Sequence, residues 1–271
     1  MAAVELLGDR ESEEVRLGGL YGLQRVMQDS HRDQPTVINV VSTFVRAHNP
    51  RPEPGAKPRP LPKHINAPLP SDTTAALAVL THRDSRHDGG VRVVTLHNTA
   101  LSFAQLPKAN LTFADLTNAD LTNAHLSDAN LTDARLFGTI LDRANLHEAN
   151  LTRAFLLDAH LNFAYLKHAN LTGAVLTSAE LYNVSMKQAI VDGADLGFAD
   201  LRTAIMDHVN LTRADLTCAR LNGAYLETAI VKKNQLMLAE IDATTALPAH
   251  LASDPELKKK AASGAKPARC S

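Results

Sequence analysis

"NAHLSDANLTDARL", residues 123–136, carries leucine at 126, 131 and 136, and each leucine is preceded two positions earlier by alanine. The spacing persists far beyond this stretch. From Leu96 to Ile241 every fifth residue is apolar, giving 30 positions of which 25 are Leu, the others being Met186, Val191, Met206, Val231 and Ile241. Alanine stands two residues earlier at 24 of the 30, the exceptions being Val94, Thr99, Thr139, Val184, Val209 and Asn234. A helix cannot bury this pattern, because five steps of about 100° rotate each leucine by roughly 140° from the last. A straight strand fails too, since five is odd and successive leucines alternate faces. The chain must therefore turn a corner in every repeat, with Ala and Leu facing inward together and three variable residues facing out or forming the corner.

The number of repeats per coil follows from a second period. The triplet Asn-Leu-Thr starts at Asn110, Asn130, Asn150, Asn170 and Asn210, and only Ile190 and Ile230 interrupt that series of residues spaced by 20. Four repeats close one coil, so the coil has four sides. Thirty repeats make about 7.5 coils, and at about 4.8 Å per coil the rod is roughly 36 Å long. The asparagines fall on one face, where we expect a ladder with amides hydrogen-bonded along the stack. Each triplet is formally a glycosylation acceptor; here it reads as a by-product of the repeat.

Composition agrees with a soluble chain with an aliphatic core: 45% of residues are apolar, 4% aromatic, and there is no Trp. Cys218 and Cys270 lie far apart with no second Cys or His at ligand spacing. This predicts neither a disulfide framework nor a zinc site, and a reducing, cytoplasmic setting. The start "MAAVELLGDRESEEVR" lacks a basic, then apolar signal, and no apolar run reaches membrane-spanning length.

"ANLTFADLTNADLTNAHLSDANLTDARL", residues 109–136, resembles the pentapeptide-repeat family. The resemblance extends over about residues 91–243 and implies a right-handed quadrilateral β-helix, a mainly β solenoid preceded here by a small helical region. The best understood members, quinolone-resistance and toxin-immunity proteins, are similar to a DNA duplex in size and charge and bind DNA gyrase, as dimers joined through C-terminal regions. "VRLGGLYGLQRVMQDSHRDQPTVINVVSTFVRAH", residues 15–48, resembles a segment that precedes the repeats in some bacterial members, often behind a transmembrane hairpin. No such hairpin is in this sequence, so no membrane contact is expected.

Outside the repeats, residues 1–49 read as helices, with Val15, Leu17, Leu20, Leu23 and Val26 on a helical period and a Pro start at "QPTVINVVSTFVRAH". Residues 50–70 hold eight of the 13 prolines and read as an extended linker. Residues 71–90 open with Ser71 or Asp72 as N-cap of a short helix expected to cover the first open coil. Residues 244–271, with Ser253 or Asp254 as N-cap, are expected to close the other end.

No catalytic constellation emerges. "THRDSRHDGG", residues 81–90, crowds His82, Asp84, His87 and Asp88, yet the Asn a kinase catalytic loop needs is Gly89, and solvated loop charge explains the cluster better than a metal. We expect no enzymatic activity, cofactor, metal or direct nucleic-acid contact, and a protein partner instead. Between 91 and 241 there are 15 acidic and 12 basic residues, against roughly 21 phosphate charges on a duplex of that length. The two sides holding Leu116 and Leu121 nevertheless collect nine acids and four bases. Asp115, Asp120, Asp158, Glu180, Asp195, Asp200 and Asp215 are the candidate partner-binding stripe of a DNA mimic acting on gyrase or a related topoisomerase, in the manner of antibiotic or toxin resistance. A general protein-binding scaffold is the alternative. Ile190, Ile205, Tyr225 and Ile230 occupy outward positions late in the rod. They mark either a homodimer interface near the C-terminal end or a surface covered by residues 244–262 or the N-terminal helices.

Overall fold

The computed structural model describes residues 2–52, 68–88, 94–264 and 266–270. The 50–70 linker reading therefore lies largely outside the described residues, as do residues 89–93. Among the described residues four α-helices precede the repeats: α1 (Ala2–Leu7), α2 (Glu13–Asp29), α3 (Gln34–His48) and α4 (Ser71–Thr81). Ser12 caps α2 by accepting from the Val15 amide at 3.2 Å, and Leu20, Leu23 and Met27 turn inward from it. Gly19 lets α1 approach α2: a Cβ there would lie 2.8 Å from the Ala3 carbonyl oxygen. The α4 cap differs from expectation. Helix α4 begins at Ser71 with Pro70 at the N-cap and no side-chain capping bond; Asp72 lies inside the first turn, where its carboxylate accepts from Arg16 Nε at 2.7 Å and from the Thr73 amide at 2.6 Å.

The repeats form a four-sided solenoid. Residues 20 apart pair as single parallel bridges, and the pairs fall into four columns. The first side carries Asp115, Arg135, Phe155, Val175, Asp195 and Asp215; the second carries Asp120, Ile140, His160, Glu180, Asp200, Arg220 and Glu240. The third runs through His125, Asn145, Tyr165, Ser185, Ile205 and Tyr225, and the fourth through Asn110, Asn130, Asn150, Asn170 and Ile190, then Asn210 and Ile230. Each rung is one residue long, since the chain pairs, buries a Leu and turns. A tight turn closes each corner, as where the Ala104 amide donates to the Leu101 carbonyl at 3.1 Å. At nearly every corner the second residue after the Leu takes positive φ, Arg213 and Thr228 being exceptions, and Gly138, Gly173, Gly193 and Gly223 adopt it without a Cβ. Phe103, Arg143 and Asp158 adopt the same conformation, so the corner is imposed by the stack and not by glycine. The inward Leu and Ala side chains from Leu111 to Ala179 are essentially without solvent contact.

The asparagine ladder needs correction. Each Asn spends its carbonyl within its own corner: Asn150 Oδ1 accepts from the Thr152 amide at 3.1 Å and the Thr152 hydroxyl at 2.6 Å, and Asn130, Asn170 and Asn210 repeat the pattern. The turn places an unpaired amide two residues on, nearer than the next coil's side chain, and the Asx-type bond satisfies it.

Both ends of the stack are closed by other parts of the chain. At the start, Pro50 pairs with Thr99, the Ala100 amide donates to the Asn49 carbonyl, and the Asn110 amide donates to the Thr81 carbonyl, each of these two bonds 2.8 Å long. Equivalent amides later in the rod donate to the preceding coil, as Asp120 does to Thr99. At the far end, the unbroken fivefold spacing misleads. Residues Lys233–Leu238 form a helix, α5, in place of a further corner. Gln235 Nε2 donates to the Leu211 and Ala214 carbonyls, which would otherwise await another rung. Leu236 stays fully buried within α5, so the spacing survives the change of conformation. The register then slips by one residue, Tyr225 pairing with Ala246. Helices α6 (Ala249–Ala252) and α7 (Pro255–Ser263) follow; Asp254 caps α7 through the Glu256 and Leu257 amides.

Candidate interaction surface

The acidic stripe lies on the first and second sides, which share an edge. Its carboxylates are corner acceptors as well as surface charges. Asp120 accepts from the Thr122 amide and hydroxyl at 2.9 and 2.6 Å, Asp215 from those of Thr217 at 2.9 and 2.6 Å, and Asp115 from the Thr117 amide at 3.1 Å. Asp195 accepts from the Gly197 amide and the Thr177 hydroxyl. Asp158 stands exposed at a positive-φ corner. Glu180 takes a hydrogen bond from Asn162 Nδ2 at 2.8 Å and lies 3.2 Å from His160 Nδ1. Asp200 is compensated: Arg202 and Arg220 approach it to 2.7 and 3.0 Å. Burial pushes the Asp200 carboxyl up, but hydrogen bonds from Arg202 and the charge of Arg220 outweigh it and hold the group below its ordinary value. The stripe is also divided, since Arg135, Phe155 and Val175 separate Asp115 from Asp195 on the first side.

Exposed aromatic residues on these sides escaped the charge count. Phe137, Phe155 and Leu157 project from the middle of the first side, each more than a third exposed. On the second side Arg143 lies over the Phe163 ring, Phe163 meets Tyr182 edge-on at 5.5 Å, and Arg202 lies over Tyr182. The signal was present in the sequence as large apolar residues at outward positions.

Ile190, Tyr225 and Ile230 are 52%, 53% and 57% exposed, and Ile205 is partly so, on the adjoining third and fourth sides. Neither the described tail nor the N-terminal helices cover them. Among the described residues the ladder also lacks a rung between Ile190 and Asn210.

Two readings of reactive residues are decided by local contacts. The 81–88 cluster is structural: Arg83 is enclosed, with Nε donating to Asp88 at 2.9 Å and its guanidinium reaching the Leu80, Asn110 and Thr112 carbonyls. Gln34 Nε2 completes the network with a 2.8 Å bond to Asp88. Among the described residues no group of three or more His, Cys, Asp or Glu is placed to hold a metal ion. The cysteines are not isolated thiols: Cys218 and Cys270 form a disulfide with Cα atoms 5.4 Å apart. Sequence separation hid the pairing because the tail folds back over the last coil, and the reducing setting inferred from separate thiols loses its support. No helix among the described residues is long and apolar enough to cross a membrane.

The pentapeptide-repeat family model matches in overlapping or adjoining segments from residue 94 to 231, just over half of the chain. The chain is a pentapeptide-repeat protein. Solved structures similar to this pentapeptide-repeat protein include HetL, involved in heterocyst differentiation regulation in the cyanobacterium Nostoc sp. strain PCC 7120, at 28% identity and TM-score 0.25, covering 57% of this chain and 78% of HetL. A pentapeptide repeat protein of the Arabidopsis thaliana thylakoid lumen is 30% identical with TM-score 0.27, over 38% of this chain and 68% of that one. QnrB1, a plasmid-mediated fluoroquinolone resistance protein, is 19% identical with TM-score 0.30, over 54% of this chain and 78% of its own. No curated protein sequence matches significantly.

Proposed function

We propose that this pentapeptide-repeat protein is a non-catalytic binding protein whose first and second sides engage a protein partner. One observation carries the reading: these two adjoining sides gather acids and exposed aromatic side chains on a surface fixed by the backbone ladder, an arrangement suited to recognition. The rigid rungs hold the surface ready, so little ordering opposes association. In its finer form, the acids stand in for duplex phosphates and the partner is a gyrase or related topoisomerase. That form requires the cytoplasm, where such an enzyme works, and favours a right-handed rod of about 7.5 coils, close to the rise of a duplex segment of roughly 36 Å. The excess of nine acids over four bases on these sides supports it; the Arg partners of Asp200 favour the general scaffold instead.

The test is a supercoiling assay with purified gyrase across a salt series. The wild-type chain should inhibit or protect, less so as salt screens the exposed charges. Reversing Asp115, Asp195 and Asp215 to Lys should slow association about tenfold or more at low salt. Unaltered inhibition by the reversed variant would remove the mimic form.

The same reading includes a homodimer joined through the late third and fourth sides. Its support is the exposure of Ile190, Tyr225 and Ile230 beside Ile205. Light scattering at micromolar concentration should give a dimer for the wild type and a monomer once Ile205 and Tyr225 are both Asp. A wild-type monomer would end the dimer reading.

A further inference from the structure

We propose that the Cys218–Cys270 disulfide is a redox-operated clasp that holds the C-terminal cap on the end of the solenoid. Cys218 belongs to the rod: it stands at a corner of the first side with positive φ, is 3% exposed, and its amide donates to the Leu238 carbonyl at 3.0 Å. Cys270 belongs to the tail, in the short turn Ala268–Cys270 that follows α7. The bond therefore joins the outermost described turn of the chain to a coil 52 residues earlier and leaves the rest of the ladder unlinked.

Between these anchors, α7 lies across α5 and the segment after Ile241. Leu257 is fully buried there, and Lys258, Ala261 and Ala262 face Asp242, Ala243 and Leu247 across a shallow groove. Few other contacts hold it. Lys233 pairs with Asp254 and Glu256 at 2.9 and 2.6 Å, Lys266 lies 3.6 Å from Glu240, and Lys260 Nζ donates to the Met237 carbonyl. The basic partners and Glu256 are open to solvent, although Glu240 and Asp254 are mostly covered, so each pair contributes modestly. A helix of nine residues does not persist alone in water. Leu257, a partly buried Ala261 and a few ion pairs hold α7 non-covalently, and the covalent link decides whether residues 255–264 stay docked.

The chemistry is thiol–disulfide exchange with a dithiol reductant. Its thiolate attacks the more accessible sulfur, that of Cys270, forming a mixed disulfide and releasing the Cys218 thiolate. The second thiol of the reductant then displaces Cys270. The reductant leaves as a disulfide, two electrons and two protons having passed to the protein as two thiols. With the clasp open, α7 departs from α5, which holds Leu236, and from the segment after Ile241, leaving an aliphatic end with a strand edge at residues 240–246 available to a further chain. With it closed, that end is covered.

Hydrogen exchange on the full chain, with and without dithiothreitol, tests this. Amides of residues 255–264 are expected to exchange about tenfold faster or more after reduction, while those of residues 126–176 keep their protection. The Cys270→Ser variant should match the reduced wild type without reductant, and trypsin should cut sooner at Lys258–Lys260 in both. Unchanged protection of residues 255–264 on reduction overturns the clasp. So does loss of protection throughout the rod, which makes the disulfide a general staple, or titration of two free thiols in the unreduced protein.

Discussion

Replacing Arg83 with alanine is expected to destabilise the N-terminal end of the molecule by about 3–5 kcal/mol, because it leaves the Asp88 charge enclosed with the Gln34 hydrogen bond but no opposite charge. The Arg83 side chain has no solvent exposure and that of Asp88 only 9%. Burial draws the Arg83 guanidinium below its ordinary pKa, and the charge and hydrogen bond of Asp88 work against that shift. The same guanidinium serves the Asn110 and Thr112 carbonyls on the first coils, so the substitution also strands acceptors where the stack begins. Urea unfolding should show a clearly lower midpoint. Lysine should rescue little, since one ammonium cannot present donors in several directions from a planar fork. A midpoint within about 0.5 kcal/mol of wild type would mean that the network around Asp88 is not holding the cap.

The second large effect is expected at Ala169. Its side chain is buried without exposure and stacks between Ala149 and Ala189 on the fourth side, with its amide closing a turn to the Leu166 carbonyl at 3.0 Å. Ala169→Leu adds three carbons inside a coil whose rungs above and below are fixed by the Asn170 amide bond to Ala149 and the Ile190 amide bond to Ala169. Neither rung can move away without lengthening a ladder bond, so overpacking should cost about 1–3 kcal/mol or more. Thermal melting measures it. A melting temperature equal to wild type would show that the alanine row does not line the narrow part of the coil.

The regularity of the rod was legible in single residues. Leu at every fifth position excluded helix and straight strand on geometry alone, and Asn at every twentieth placed Asn130, Asn150 and Asn170 on one side, where the bridges pair them. Both inferences rest on period, which is a property of the chain itself. What the Asn side chains do was not legible. Their role is decided by the turn, which presents the Thr152 amide to Asn150 more closely than any neighbouring coil does. The acidic positions share that ambiguity, because Asp120 and Asp215 accept bonds from their own corners in the same way.

Repetition also concealed where it stops. Leu236 keeps the fivefold spacing inside α5, since a buried leucine is demanded at that point by a helix and by a corner alike; the choice falls to Gln235, whose amide finds two waiting carbonyls. Contacts across long separations were decided only by folding. Cys218 and Cys270, Arg16 and Asp72, and Gln34 and Asp88 each join segments with no common local pattern. Local periodicity determines a stack because every coil makes the same contacts with the next. The two ends have only one neighbouring coil, so their remaining donors, acceptors and apolar faces are satisfied by whichever distant segment the chain brings back, and that return is a property of the tertiary structure.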